Sequence, residues 1–261
     1  MKRIFKILII SLFITNVSIA GSDGDLELSK NSNGQVKDCF ETINRGVFAF
    51  NEALRGVVFE PLAKGYLLLP SPVRTGTGNF LENLSNVVTI PNNILQGDFK
   101  SAMKNTARFS VNTTIGLLGI FDPASRIGLD DDNNKEDYGQ TLGTWGVGEG
   151  CYVVLPVLGP STARDAIAGI ANFSGGDAWY NITVRNDTHY VSDFDYYSSR
   201  GANGVDFLAK NLGALDNLEE NSIDFYASVK SLYLQERRKQ IANSDQITDT
   251  LNDSDWEEIE N

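Results

Sequence analysis

The sequence predicts a mainly α-helical protein with joints at glycine and proline. Three observations predict it. Apolar residues recur at three- and four-residue spacings over several stretches, as they do on one face of a helix. Proline and glycine fall between those stretches. No alternation of strand-length and helix-length patterns is visible, so a βαβ-built parallel sheet is not expected. With 261 residues, 41% hydrophobic and 10% aromatic, the chain has enough apolar material for a core and is too apolar to be disordered throughout.

The first twenty residues form the pattern of an export signal. Lys2, Arg3 and Lys6 give the positive end, residues 7–14 an apolar run too short to span a bilayer, and Ser18 and Ala20 small residues before a cut ahead of Gly21. Cleavage removes three cations and takes the formal charge from −12 to −15. A polar leader, 21–37, follows. Residues 41–60 then carry Ile43, Val47, Phe50, Leu54 and Val57 as a single stripe, with Asp38 as the expected N-cap and Glu41 completing a capping box. An amphipathic stripe of this kind is expected to pack as core. Pro61 is expected to end or bend the helix.

Pro70 and Pro72 punctuate. Residues 73–89 predict a helix interrupted by Pro91, and Gly97-Asp98 a break with a new cap. Phe99, Met103, Ala107 and Val111 continue as another apolar face, and Asp122-Pro123 is a cap followed by proline at the first helical position. The stretch 113–121 between them is apolar with Gly116 and Gly119, and suits a buried hairpin or a moving apolar loop. Residues 139–150 hold five glycines. Tyr152–Leu155 is a short apolar run, and Ser161 is the expected cap of a short helix through Arg164 and Asp165. Residues 171–205 show little period. From Asp206 a helical pattern returns, with Leu218, Phe225, Val229 and Leu232 on one face to about Arg238. The helical domain thus runs 38–240, and 241–261 is an acidic tail expected to be solvated, with seven acidic and no basic residues. No internal repeat is visible.

Several activities are excluded or disfavoured. An acidic chain with no basic run is not built to bind nucleic acid. One His and two Cys fall short of a structural zinc site. No Gly-Lys pair exists, so no standard phosphate-binding loop does. Gly146, Gly148 and Gly150 resemble a dinucleotide fingerprint, but an apolar, β-branched run follows where a helix is required, so a tight turn is expected. Asp130, Asp132 and Asn134 mimic a calcium loop that fails at Lys135 and Thr141, where glycine and glutamate belong. His189 has no nucleophile near it in sequence. No enzyme, catalytic residue, metal or cofactor is expected. Cys39 and Cys151 remain after export; an oxidising compartment allows a disulfide, and two buried thiols are equally compatible with the sequence.

Taken in order along 38–240, the residues resemble the MlaA/VacJ family of outer-membrane phospholipid-transport proteins. The resemblance is carried by Asp38-Cys-Phe-Glu41, Asn44-Arg45 and Phe50-Asn51, then Pro61, Tyr66, Pro70 and Val73-Arg74. It continues through Asn79-Phe80, Asn83-Leu84, Asn93, Leu95-Gln96-Gly97, Arg108-Phe109 and Asn112-Thr113. The strongest block is Tyr138-Gly-Gln-Thr-Leu-Gly143, Trp145-Gly-Val-Gly148, Gly150, Tyr152, Leu155-Pro156, Gly159-Pro-Ser161 and Arg164-Asp165, and Tyr226 with Tyr233-Leu-Gln235 and Arg237-Arg238 closes it. The family usually has Pro where Cys39 stands, and most members are lipoproteins, whereas no lipidation cysteine sits near this cut.

The resemblance implies a ring-like helical protein with amphipathic helices embedded in the inner leaflet of the outer membrane. A polar channel would take mislocalised phospholipid from the outer leaflet toward the periplasm. Implied partners are phospholipid, the outer membrane, a soluble periplasmic carrier of the MlaC type and a trimeric porin. The polar motif residues Glu41, Asn44, Arg45, Asn51, Asn79, Asn83 and Asn112 are the expected channel lining, and Gly116, Leu117, Leu118 and Gly119 the expected gate, with glycine hinges and apolar plugs. Exposing about thirty chain methylenes to water at ~0.8 kcal/mol each costs roughly 25 kcal/mol, so an unassisted route is too slow. A membrane-repelled charge of this sign leaves apolar insertion as the means of holding lipid contact. The competing reading is a periplasmic or outer-membrane adaptor that supports envelope stability and moves no lipid.

Overall fold

The computed structural model describes residues 36–131, 135–172, 180, 181, 184 and 192–242. The export signal, most of the leader, Asp132, Asn134, His189 and nearly all of the acidic tail lie outside the described residues. The described chain is mainly helical, with one two-stranded antiparallel hairpin.

Helix α1 (Glu41–Leu54) runs through a π-helical turn (Arg55–Phe59) directly into α2 (Glu60–Leu67). Pro61 does not end the helix. It sits within the first two positions of α2, where its missing N–H is least missed. Asp38 does not cap α1 either. Its carboxylate accepts from Asn44 Nδ2 at 2.7 Å, from the Tyr226 hydroxyl and from Lys230 Nζ at 3.2 Å, and the capping position passes to Phe40, which makes no side-chain cap.

Helix α3 (Ser71–Gln96) is one 26-residue helix that passes through Pro91. The interruption expected there is absent. A single lost backbone bond is tolerated because α3 is packed along its length, burying Gly76, Leu81, Asn83, Thr89, Asn92 and Asn93. Gly97, at φ 82°, terminates it in the left-handed conformation that favours glycine, and Asp98 caps α4 (Phe99–Thr114) by accepting from Ser101 N at 3.0 Å. Asp122 caps the single turn α5 (Pro123–Arg126), and Asp137 caps α6 (Tyr138–Thr144).

The glycines after α6 take turn conformations, with Gly146 and Gly150 at positive φ, and the apolar run that follows is a strand. Strand β1 (Tyr152–Leu155) pairs antiparallel with β2 (Gly159–Thr162), Tyr152 opposite Thr162 and Leu155 opposite Gly159. Ser161 therefore lies in β2, and Thr162 caps α7 (Ala163–Ala171). Helix α8 (Asp193–Asn221) starts well before Asp206, at a capping box between Ser192 and Asp195. It stops at Ser222, and Asp224 caps a separate helix α9 (Phe225–Ile241). The continuous stripe expected from Leu218 to Leu232 is thus broken. The buried face of α9 carries Tyr226, Leu234 and Arg237 instead.

The apolar core among the described residues is small. Tyr152, Val154, Tyr226 and Leu234 form it, with Val47, Phe48 and Tyr233 against it. Edge-to-face rings organise it, with Tyr226 5.4 Å from Phe48 and 6.1 Å from Tyr152. Cys39 and Cys151 are joined in a disulfide across 5.6 Å between Cα atoms, and the neighbouring Tyr152 N–H donates to Lys37 O at 2.9 Å. The opening of α1 and the first strand are tied together twice.

Candidate functional site

Much of the expected stripes on α1 and α4 faces outward, with Val47 the member of the α1 stripe that packs on the core. In α1, Ile43 and Phe50 are exposed and Asn44 is buried; in the π turn Val57 is 77% exposed. In α4, Met103 is 74% exposed while Arg108 and Asn112 are buried. Among the described residues the buried set holds Asn44, Asn83, Thr89, Asn92, Asn93, Arg108, Asn112, Gln140, Arg164, Asp206 and Arg237, and several of its apolar members are alanine. Water drives apolar groups inward, so this inversion marks a surface made for something other than water. No described helix is long and apolar enough to cross a membrane.

The seven expected channel residues divide into two sets. In the first, Asn44 donates to Tyr152 O at 3.0 Å and accepts from Val154 N at 2.9 Å. One turn pair later, Asn51 donates to Leu155 O at 2.9 Å and accepts from Val157 N at 2.8 Å. Each amide completes the outer edge of β1 as a paired strand would. Asn44 is 3% exposed and fully occupied by protein, so it lines no passage. Replacing Asn44 with alanine leaves a buried N–H and a buried C=O unpaired and should cost roughly 2–4 kcal/mol. A urea midpoint shift checks it, and Asn51→Ala, at a more exposed rung, should shift it less. Arg45 grips Asp224 with both terminal nitrogens (3.1 and 2.7 Å), holds Glu41 at 2.7 Å and lies 4.4 Å above the Tyr226 ring. Arg45 and Glu41 thereby fix α1 to the start of α9.

The second set surrounds the segment 115–121. Asn79 donates to Ile120 O at 3.2 Å, Asn83 to Thr113 Oγ1 at 2.9 Å, and Asn112 to Asp122 Oδ1 at 2.9 Å. The segment is not a buried hairpin, and its two glycines are closely packed. Gly116 is wedged against the carbonyls of Phe121 and Asn112, and Gly119, at φ 94°, against the Asn83 side chain, so each serves close approach. Leu117 and Leu118 also have positive φ and stand exposed with Ile115, Ile120 and Phe121 as an apolar knuckle. Leu118 borders an apolar groove of about 510 Å³ between α3 and α4, walled by Phe80, Leu84, Ile90 and Phe109.

A polar cavity of about 330 Å³ lies elsewhere, and none of the seven lines it. Its walls include Asp137, Tyr138, Gly139, Asp165, Asn172, Tyr233 and Arg237. Arg237 Nη1 and Nη2 each bond Asp137 at 2.7 Å, and its Nε bonds Asp165 at 2.9 Å. The Tyr233 hydroxyl donates to Asp165 at 2.8 Å, and Arg164 Nε does so from behind at 2.9 Å. Burial alone would raise both carboxyls, but the hydrogen bonds and charge of Arg237 hold Asp137 and Asp165 below the usual carboxylate range. Burial opposes the charge of Arg237, yet the two carboxylates hold its guanidinium above its ordinary value. Burial, with the charge of Asp165, pushes the Tyr233 hydroxyl up.

The cavity shares Tyr138, Ala168 and Asn172 with a second apolar groove of about 300 Å³, which adds Leu95, Leu142, Trp145 and Ala171. A polar chamber and an apolar trough therefore meet at one wall. Tyr138, Gly139, Asp165, Tyr233 and Arg237 fall in the motif blocks above with no site expected there, and Asp137 and Asn172 fall in none. The readable signal was Tyr233 and Arg237 four apart on one helical face.

Residues 36–240 match the model of the family described as MlaA lipoprotein. An uncharacterized protein of Rickettsia prowazekii is 34% identical over 206 residues, covering 77% of this chain and 78% of that one. The intermembrane phospholipid transport system lipoprotein MlaA of Escherichia coli K12 is 32% identical over 216 residues, 80% of each chain. A solved structure described as the structural basis for maintenance of bacterial outer membrane lipid asymmetry aligns with a TM-score of 0.65 and 30% identity, covering 78% of this chain and 99% of that chain.

Proposed function

The chain belongs to the MlaA lipoprotein family, and from that premise we propose that it takes mislocalised phospholipid out of the outer leaflet of the outer membrane and delivers it toward a soluble periplasmic carrier. The observation that supports this most is the inverted polarity: apolar side chains outward on α1, α4 and the 115–121 knuckle, and a polar chamber inside that adjoins an apolar trough.

In this reading the outward stripes lie in hydrocarbon and hold the acidic chain in the membrane without help from charge. The knuckle Ile115–Phe121 is an insertion tip, clamped by Asn79, Asn83 and Asn112. The headgroup enters the Asp137–Asp165–Arg237 chamber while an acyl chain stays covered along Leu95, Leu142 and Trp145. Keeping the chains covered removes most of the cost that blocks unassisted transfer. The chain carries no nucleotide-binding motif, so direction comes from partners, of which a periplasmic carrier and a trimeric porin are proposed.

The test is complementation. In a Gram-negative host whose own family member is deleted, this chain should clear surface-exposed phospholipid, and phospholipid should co-purify with it. Membrane-localised protein that leaves surface phospholipid unchanged and carries no lipid would establish the adaptor role instead.

A further inference from the structure

The chamber offers acceptors and almost no free donors. Arg237 directs bonds to both oxygens of Asp137, to Asp165 and to Gln240 Oε1, which engages four of the five N–H groups of a guanidinium. Gly139 covers the rest so closely that a Cβ there would lie 2.5 Å from Arg237 Nη2. The Tyr233 proton is already given to Asp165. An anionic phosphate entering here finds no guanidinium edge to bind.

Asn172 shows the opposite character. It lines both the chamber and the apolar trough, and its Oδ1 is buried with no hydrogen-bond partner. A buried acceptor left unpaired is costly, and a ligand donor at this point relieves it. The lining sets two carboxylates, Asp137 and Asp165, against the single guanidinium of Arg237, and the Asp137 side chain is 47% exposed. A donor that is also a cation answers both features, and the trough beginning at Asn172 accommodates a hydrocarbon chain attached to it.

We propose that this chamber is a headgroup-selecting site that takes the ammonium of an ethanolamine-type zwitterionic phospholipid, with Asn172 Oδ1 as a direct acceptor, and disfavours phospholipids of net negative charge. The proposal rests on the transport reading above and adds a specificity to it.

The test uses the full chain, purified in detergent and mixed with vesicles of equal phosphatidylethanolamine and phosphatidylglycerol. Lipid retained after re-isolation is identified by mass spectrometry. Phosphatidylethanolamine should be enriched about tenfold, the effect of one charge-assisted hydrogen bond. Asn172→Leu should bring the ratio close to the input, and Asn172→Asp should preserve or sharpen the enrichment. Equal retention of the two lipids by the unaltered chain, an enrichment unmoved by Asn172→Leu, or loss of phosphatidylethanolamine in Asn172→Asp overturns the headgroup assignment and leaves transport standing. Retention of neither lipid overturns the transport reading along with it. Glycerophosphoethanolamine separates the sources of the amine. It should compete weakly, lacking chains, and strong binding of it without lipid retention would make this a soluble-amine site and overturn the proposal.

Discussion

Arg237→Leu should lower stability by about 3–5 kcal/mol and abolish lipid clearance, the largest effect expected of any single change in the chain. The guanidinium is buried and holds Asp137 and Asp165 together from α9, a helix that is otherwise remote from both in sequence. Leucine fills space but leaves Asp137 without its cation and Asp165 with Arg164 alone. Arg237→Lys keeps the charge, but a single ammonium does not grip Asp137 with two parallel bonds, so it should recover only part of the loss. The pH profile gives a second readout with a definite sign. In the unaltered chain both carboxyls titrate below their unfolded value of about 3.9, so their contribution is full above that pH and is lost as the pH falls through their folded values. Arg237→Leu removes the hydrogen bonds and charge that do most to lower both carboxyls, so this contribution shrinks in the variant. That variant should therefore lose less stability than the unaltered chain as the pH falls from 7 to 3.5. Unfolding midpoints in detergent at pH 7, 5 and 3.5 check both curves, and parallel slopes would show that Arg237 does not govern these carboxyls.

The paired change Cys39→Ser with Cys151→Ser should cost about 2–5 kcal/mol. The bridge closes a loop with a sequence separation of 112, and releasing it frees the unfolded chain more than a short loop would. It also frees the segment before α1, whose Lys37 carbonyl takes the Tyr152 N–H and whose Asp38 ties Asn44, Tyr226 and Lys230. The unaltered chain in reductant should unfold at the midpoint of the serine variant, and that variant should ignore reductant. Identical midpoints with and without reductant in the unaltered chain would mean the bridge contributes nothing. The consequence reaches the site, because β1, β2 and α7 follow Cys151 in sequence and α7 carries Asp165 into the chamber.

Periodicity located α1, α3, α4 and α9 because apolar spacing of 3.6 residues reports a helix face whatever that face meets. It misjudged the start of α8, where Gly, Asn, Asp and Tyr carry no stripe and the Ser192–Asp195 capping box is the only local signal. It also ran α8 and α9 together, because apolar spacing alone does not report the three-residue break between them. Asn44 and Asn51 were expected to line a channel as polar residues of the family's motifs, and their spacing of seven puts them on one side of α1. That side meets the β1 edge, a partner more than a hundred residues away.

By itself the sequence determined the helical class, the order of most elements, the caps at Asp98-like positions and the family. These depend on neighbours within a few residues or on the order of residues along the chain. Tertiary structure alone decided which side of each stripe faces inward, since hydrocarbon and a protein core reward the same apolar spacing. It alone also brought Asp137, Asp165, Asn172 and Arg237 into one chamber. Charges act through space, and Arg237 meets carboxylates 72 and 100 residues distant along the chain, a pairing that no local pattern encodes.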